Sequence, residues 1–329
     1  MESTSNIAGK LAAEEHPQLD VEFAEEDDEV SISDGGGDEM KDVQVDAPWH
    51  LDRIDQESLP LDGAYHFPKS AGTGADIYIV DTGVNPHHVD LYPRVIFEVS
   101  TSSSSPSLQD ENGHGTHCAG TSAGRKYGVA KNATIVAVRS LNAAGKGPFS
   151  DVIHGLQWVA NRVQQNRGRP AIVNLSVQGK ASGTLTKAVV ALANMGVHVT
   201  AAAGNSGEEA CIHSPAIASK NSTVIAVGAT DIHDDIGVYS NYGECVTILA
   251  PGSNVVSDYI GDNDSTKQLT GTSMASPQIA GVIANLIASE RVDNDPKLVK
   301  QYLLEHASTD VISSSDGGSV EYAPFVYLN

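Results

Sequence analysis

Two periodicities run through this chain. Short apolar blocks rich in Val, Ile and Ala recur at 77–80, 134–138, 172–175, 197–203 and 223–227. They are nearly continuous rather than alternating, the pattern of strands buried on both faces. Between them the period becomes helical: Val152, Leu156, Val159 and Val163 fall on one face, and 185–195 reads as a second helix. Buried strand alternating with helix predicts an α/β fold, a mainly parallel sheet between two layers of helices. In such sheets the site lies beyond the carboxyl ends of the strands. Asp81 and Asn205 follow two of the blocks directly. The stretch 279–287 is apolar at nearly every position and predicts a helix buried around most of its circumference. Ahead of it stands Gly271-Thr272-Ser273-Met274-Ala275-Ser276-Pro277. This puts Ser273 on a tight turn at the helix head, with Pro277 expected in the first turn, where it removes no helical hydrogen bond.

Upstream of Ala47 the pattern changes. Residues 1–46 hold 15 acidic and 2 basic residues, a net of −13 out of −22 for all 329 residues. Within them 6–15 reads as a short helix and 21–24 as a strand. Residues 34–46, with Gly35-Gly36-Gly37, read as an exposed acidic linker. Three segments are therefore expected: 1–33, 34–46 and a globular domain over 47–329. The serine run 102–105 reads as a solvated insertion. The acidic balance argues against nucleic acid and anionic membrane as partners. No apolar run reaches membrane-spanning length, and the first 20 residues lack the basic start and apolar core of a signal peptide. Cys118, Cys211 and Cys245 allow one intrachain disulfide and a spare thiol.

Four residues carry candidate chemistry. Asp81 ends a strand, His114 lies in Asn112-Gly113-His114-Gly115-Thr116-His117, and Ser273 heads a helix. Asp, His and Ser in Gly-containing turns are what nucleophilic acyl transfer needs. The imidazole takes the serine proton, and the carboxylate fixes the imidazole tautomer and stabilises its charged form. Asn205 is a neutral amide donor at a strand end, suited to hold an oxyanion together with the N–H groups of the helix head. His114 and His117 do not make a zinc-protease pair, which needs a glutamate inside an i,i+4 His pair. The G-x-S-x-G elbow is also absent, because Ala275 stands at its second glycine.

Asp81-Thr82-Gly83, His114-Gly115-Thr116-His117-Cys118-Ala119-Gly120 and the heptapeptide 271–277, in that order, resemble the three signatures of the subtilisin-like serine proteases. Ala47-Pro48-Trp49-His50-Leu51 and Cys118 are similar to the proteinase K subgroup. The resemblance covers Ala47 to about Ala307. It implies the three-layer fold of that family and a serine endopeptidase of broad specificity, with a preference for apolar residues near the scissile bond. A catalytically silent homologue that binds peptides in the same groove is the alternative.

The resemblance also assigns roles. Ser140, Leu141, Asn142 and Ala143 match one edge that pairs with extended substrate, and Ser176, Val177, Gln178 and Gly179 match the opposite edge. Ala203 and Gly204 match a wall of the pocket for the residue before the scissile bond. His88 matches a structural position. Cys211 and Cys245 match a disulfide found in some relatives. Residues 16–27 are similar to the end of the family's inhibitory propeptide, so a zymogen processed in the 34–46 segment is expected. That expectation carries a secreted or vacuolar location with it, a cytoplasmic enzyme being the alternative. The partners implied are protein and peptide substrates and the chain's own propeptide, with the enzyme monomeric. No cofactor is required for catalysis. The resemblance also implies structural calcium, at a site weakened here because Thr247 stands where the subgroup often places a calcium-binding Asp. Two further departures are Gln178, at a usual glycine, and Gln278, at a usual histidine.

Overall fold

The computed structural model describes residues 41–308. The helix expected at 6–15 and the strand at 21–24 lie outside the described residues. In chain order the strands are β1 (Lys41–Val45), β2 (Ala64–Pro68), β3 (Asp76–Asp81), β4 (Val95–Ser100), β5 (Thr134–Arg139), β6 (Ala171–Leu175), β7 (Gly179–Lys180), β8 (His198–Ala202), β9 (His213–Ser214), β10 (Ile225–Thr230), β11 (Ile248–Pro251), β12 (Val255–Asp258) and β13 (Thr266–Leu269). The helices are α1 (Trp49–Ile54), α2 (His114–Ala123), α3 (Phe149–Gln165), α4 (Gly183–Ala193), α5 (Thr272–Ala288) and α6 (Pro296–His306).

Seven strands form one sheet in the order β11-β10-β8-β6-β3-β5-β4, and every pairing in it is parallel. Successive side chains of a strand point to opposite faces, and the core divides accordingly. Ile77 and Ile79 of β3 pack with Ala119 of α2 and with Ile279 and Ile283 of α5. Tyr78 and Val80 pack on the other face with Val152, Leu156 and Val159 of α3 and Leu185 and Val189 of α4. This is the three-layer α/β arrangement expected from the apolar blocks. The chain lays β4 and β5 on one side of β3 and β6, β8, β10 and β11 on the other. Strand order thus reverses at β3, and the crevice for a site opens at its carboxyl end.

Three local expectations differ from what is observed. Residues 41–45 of the expected linker form β1, paired antiparallel with β2 from Lys41↔Pro68 to Val45↔Ala64. A polar composition does not prevent a strand where a neighbour offers a ladder. The serine run is not simply solvated: Ser102 is buried, and the Ser103 N–H and hydroxyl both donate to Asp151 in the first turn of α3. Pro277 lies in the second turn of α5, not the first, because the helix already begins at Thr272. A proline there cannot donate to the carbonyl four residues back, that of Ser273. Other donors satisfy that carbonyl: Ser176 Oγ at 2.8 Å and Cys118 Sγ at 3.4 Å. Every residue of α5 from Thr272 to Leu286 is buried, as its all-round apolarity predicts.

Candidate active site

β3 ends at Asp81, which is fully buried. Both of its carboxylate oxygens lie 2.9 Å from His114 Nδ1, and Oδ1 also accepts the Thr82 N–H at 2.7 Å. His114 opens α2. Gly115 allows that approach, since a Cβ there would stand 2.1 Å from the Gly83 carbonyl oxygen. The corner is held by Asp110, which the sequence reading missed. Its Oδ1 accepts from Thr82 Oγ1 (2.9 Å), Asn112 N (3.0 Å) and Gly113 N (2.8 Å). Its Oδ2 accepts from Thr116 N (2.9 Å) and Oγ1 (2.7 Å). Asp110 thereby satisfies the head of α2, whose N-cap Gly113 has no side chain to do so. The available signal was an acidic residue three positions before that glycine.

Burial disfavours the His114 imidazolium, but the Asp81 carboxylate outweighs it and holds the pKa well above the ordinary histidine value. The proton on Nδ1 faces Asp81, which leaves Nε2 as the basic nitrogen. Burial pushes the Cys118 thiol up, so it remains S–H at neutral pH. His117 is a different case. It is buried, which lowers its pKa to about 3, and its Nε2 donates to the Val255 (3.2 Å) and Lys267 (3.0 Å) carbonyls. His88 is likewise structural, its Nε2 donating to Ser265 O at 2.9 Å. Among the described residues, Asp81, His114 and Cys118 are the set close enough to share a metal, and they are the catalytic candidates with the thiol beneath them.

Ser273 heads α5, where the first N–H groups have no intrahelical acceptor. Cys118 lies between it and His114, with Sγ 3.9 Å from His114 Nδ1 and 3.4 Å from Ser273 O. Ser273 Oγ donates to the Ser176 carbonyl at 3.4 Å, and no hydrogen bond among the described residues joins it to His114. Asn205 Oδ1 accepts from the Thr272 N–H (2.8 Å) and hydroxyl (2.9 Å). With its oxygen pinned, the amide presents Nδ2 over Gly271, 3.3 Å from where a Cβ there would stand.

A cleft of about 520 Å³ runs from His114 between the two edges. Leu141, Ser176, Val177 and Gln178 line it, joined by Phe149 and Val152, which the sequence reading did not name for this role. The groups expected along the cleft also make contacts within the fold. Ser140 is buried, with its hydroxyl 2.9 Å from that of Thr101. Asn142 Oδ1 closes its own turn on Ala144 N and Lys146 N, and Ala143 O accepts from Asn112 Nδ2. The Ser176 hydroxyl is committed to Ser273 O and Asn174. Gly179 pairs with Ser214 between β7 and β9. Ala203 is fully buried, and Gly204 N donates to Thr272 Oγ1. Gln278, a buried residue of α5 itself, donates to Pro251 O and Met274 O.

Calcium at Thr247 does not fit the donors present. Thr247 exchanges hydrogen bonds with Ala226, its hydroxyl accepting and its N–H donating. Just upstream of Ala226, the carbonyls of Ser219, Ser222 and Val224 converge on the Lys300 ammonium at 3.1, 2.9 and 2.9 Å. A cation carried by the chain itself fills that cradle. Burial pushes its pKa down to about 8. Cys211 and Cys245 are joined by a disulfide with a Cα–Cα distance of 5.3 Å, and Cys118 is free and buried.

The family model described as the subtilase family matches residues 72–320. The chain belongs to the subtilase family. Its relatives include the subtilisin-like serine protease Pen ch 18 of Penicillium rubens, 38% identical over 93% of this chain and 66% of that one. Cerevisin of Saccharomyces cerevisiae is 38% identical over 89% of this chain and 48% of its own length. The chain therefore spans less than two thirds of the length of these curated relatives. The structure of a cold-adapted subtilisin-like serine proteinase superposes with a TM-score of 0.76 at 39% identity, covering 86% of this subtilase and 98% of that chain.

Proposed function

We propose that this subtilase is a serine endopeptidase acting through an acyl-enzyme. The observation that carries the reading is the Asp81–His114 pair beside the Ser273 helix head, with the Asn205 amide held above it. Ser273 Oγ leaves the Ser176 carbonyl, attacks the scissile carbonyl carbon and passes its proton to His114 Nε2. Asn205 Nδ2 and the Ser273 N–H hold the oxyanion. His114 gives the proton to the leaving amine, and water repeats the sequence to release the acid. Asp81 keeps the imidazole oriented and stabilises its charge. The segments 140–143 and 176–179 flank an extended peptide, and the apolar lining of the cleft by Leu141, Val152 and Phe149 favours apolar side chains.

The front segment fits a propeptide removed by the enzyme itself. Asp46, exposed and at φ 51, marks the expected junction between β1 and Ala47. The Cys211–Cys245 bridge fits an oxidising compartment, hence a secreted or vacuolar enzyme. Among the described residues no helix is long and apolar enough to cross a membrane. A fluorophosphonate probe tests the chemistry: it should label wild type at Ser273 and leave Ser273→Ala unlabelled. The silent peptide-binding alternative requires no labelling of either. N-terminal sequencing tests the processing, with wild type starting near Ala47 and Ser273→Ala retaining the segment before it.

A further inference from the structure

Gln178 stands on one edge of the cleft, and its carboxamide reaches the 203–206 segment behind that edge. Oε1 accepts the Asn205 backbone N–H at 2.8 Å, and Nε2 donates to Ser206 Oγ at 2.7 Å. Nε2 also lies 3.4 Å from His213 Nδ1. His213 Nε2 faces Glu208 at 3.0 Å, which puts the His213 proton on Nε2 and leaves Nδ1 to accept. The amide therefore has one orientation, oxygen toward Asn205 and nitrogen toward Ser206 and His213. Beneath it the Gly204 backbone is in close contact, since a Cβ on Gly204 would stand 3.0 Å from Gln178 Cδ.

This bridge lies where the reacting peptide must place a side chain. A carbonyl held by Asn205 Nδ2 and attacked by Ser273 Oγ carries its own side chain on the next atom. That side chain must pass beside Asn205, between the 176–179 and 203–206 segments. The Gln178 carboxamide joins those two segments and is bonded to Asn205 itself.

We propose that the Gln178 bridge restricts the residue on the acyl side of the scissile bond to small side chains, Gly, Ala or Ser, while larger apolar residues are accepted further along the cleft. The inference rests on the peptidase reading above. A larger side chain has to displace the carboxamide and break three hydrogen bonds, whereas a methyl or hydroxymethyl group fits without disturbing them.

The test uses peptide anilides that are identical except for the residue before the scissile bond, Ala, Leu or Phe. Wild type should hydrolyse the Ala substrate with kcat/KM at least tenfold above the Phe substrate. In Gln178→Gly the Phe-to-Ala ratio should rise at least tenfold, mainly through a lower KM for Phe. Gln178→Ser, which also removes the bridge but keeps a side chain, should move the ratio the same way. Fluorophosphonate labelling and the melting temperature establish that each variant is folded. Equal rates for Ala and Phe in wild type, or an unchanged ratio in both folded variants, would overturn the proposal. Wild type that neither labels nor hydrolyses any of the substrates would overturn the peptidase reading and this inference with it.

Discussion

Replacing Ser176 with Ala should disturb the fold from beneath Ser273. The Ser176 hydroxyl accepts from Asn174 Nδ2 at 2.9 Å and donates to Ser273 O at 2.8 Å. Asn174 Oδ1 in turn accepts from Ser276 Oγ (2.7 Å) and Thr200 Oγ1 (3.2 Å), and all four side chains are buried. Ser176→Ala strands one Asn174 N–H and leaves the Ser273 carbonyl with only the weak Cys118 thiol donor. At about 1–3 kcal/mol for a buried group left unsatisfied, the loss is roughly 2–4 kcal/mol. For a domain of this size that lowers Tm by roughly 5–15 °C. Pro277 supplies an internal check. Pro277→Ala restores a backbone N–H aimed along the helix at the Ser273 carbonyl. It should therefore stabilise the Ser176→Ala variant more than wild type, by about 1 kcal/mol in a double-mutant cycle. Thermal and urea unfolding followed by circular dichroism measure both effects. If Ser176→Ala unfolds within about 0.5 kcal/mol of wild type, or the cycle shows no coupling, the network does not support the nucleophile as argued.

The proposed hydrolysis needs neutral His114, whose pKa is held above 6.5, so the acid limb of kcat/KM should lie on the alkaline side of 6.5. Asp81→Asn should move that limb to lower pH while reducing kcat by about 10⁴-fold, a figure taken from a different serine protease. The stability effect has the opposite sign. A raised histidine pKa contributes in full below 6.5 and is lost as pH rises through the folded value, so stability should decline where activity climbs, as denaturant titrations at several pH values will show. Lys300→Met leaves the carbonyls of Ser219, Ser222 and Val224 without their cation. It should cost about 1–3 kcal/mol, toward the lower end because the side chain is partly exposed, and methylammonium should recover part of the lost Tm. Reducing the disulfide, which closes a separation of 34 residues, should cost up to about 4 kcal/mol on the chain-entropy model. Thiol titration of the unfolded chain should find one free thiol without reductant and three with it.

The sequence by itself determined the strands that are apolar on both faces, the buried helix α5, and the placement of three catalytic candidates, Asp81 at a strand end and His114 and Ser273 at helix heads. Each of those signals is local. A strand surrounded by protein needs continuous Val, Ile and Ala, and a reactive side chain at a strand end or helix head needs glycines beside it. What the tertiary structure decided are the partners of buried polar groups. Ser176 meets the Ser273 carbonyl across 97 positions, and Lys300 meets the Val224 carbonyl across 76. No window of sequence contains both halves of such a pair, and topology alone brings them within hydrogen-bond reach. The same holds for Asp110 under the head of α2, for the Gln178 bridge to Asn205, and for β1, a polar stretch that became a strand because β2 lay alongside. Composition locates the groups that must be buried. Only the folded arrangement of the backbone decides which donor each buried acceptor receives.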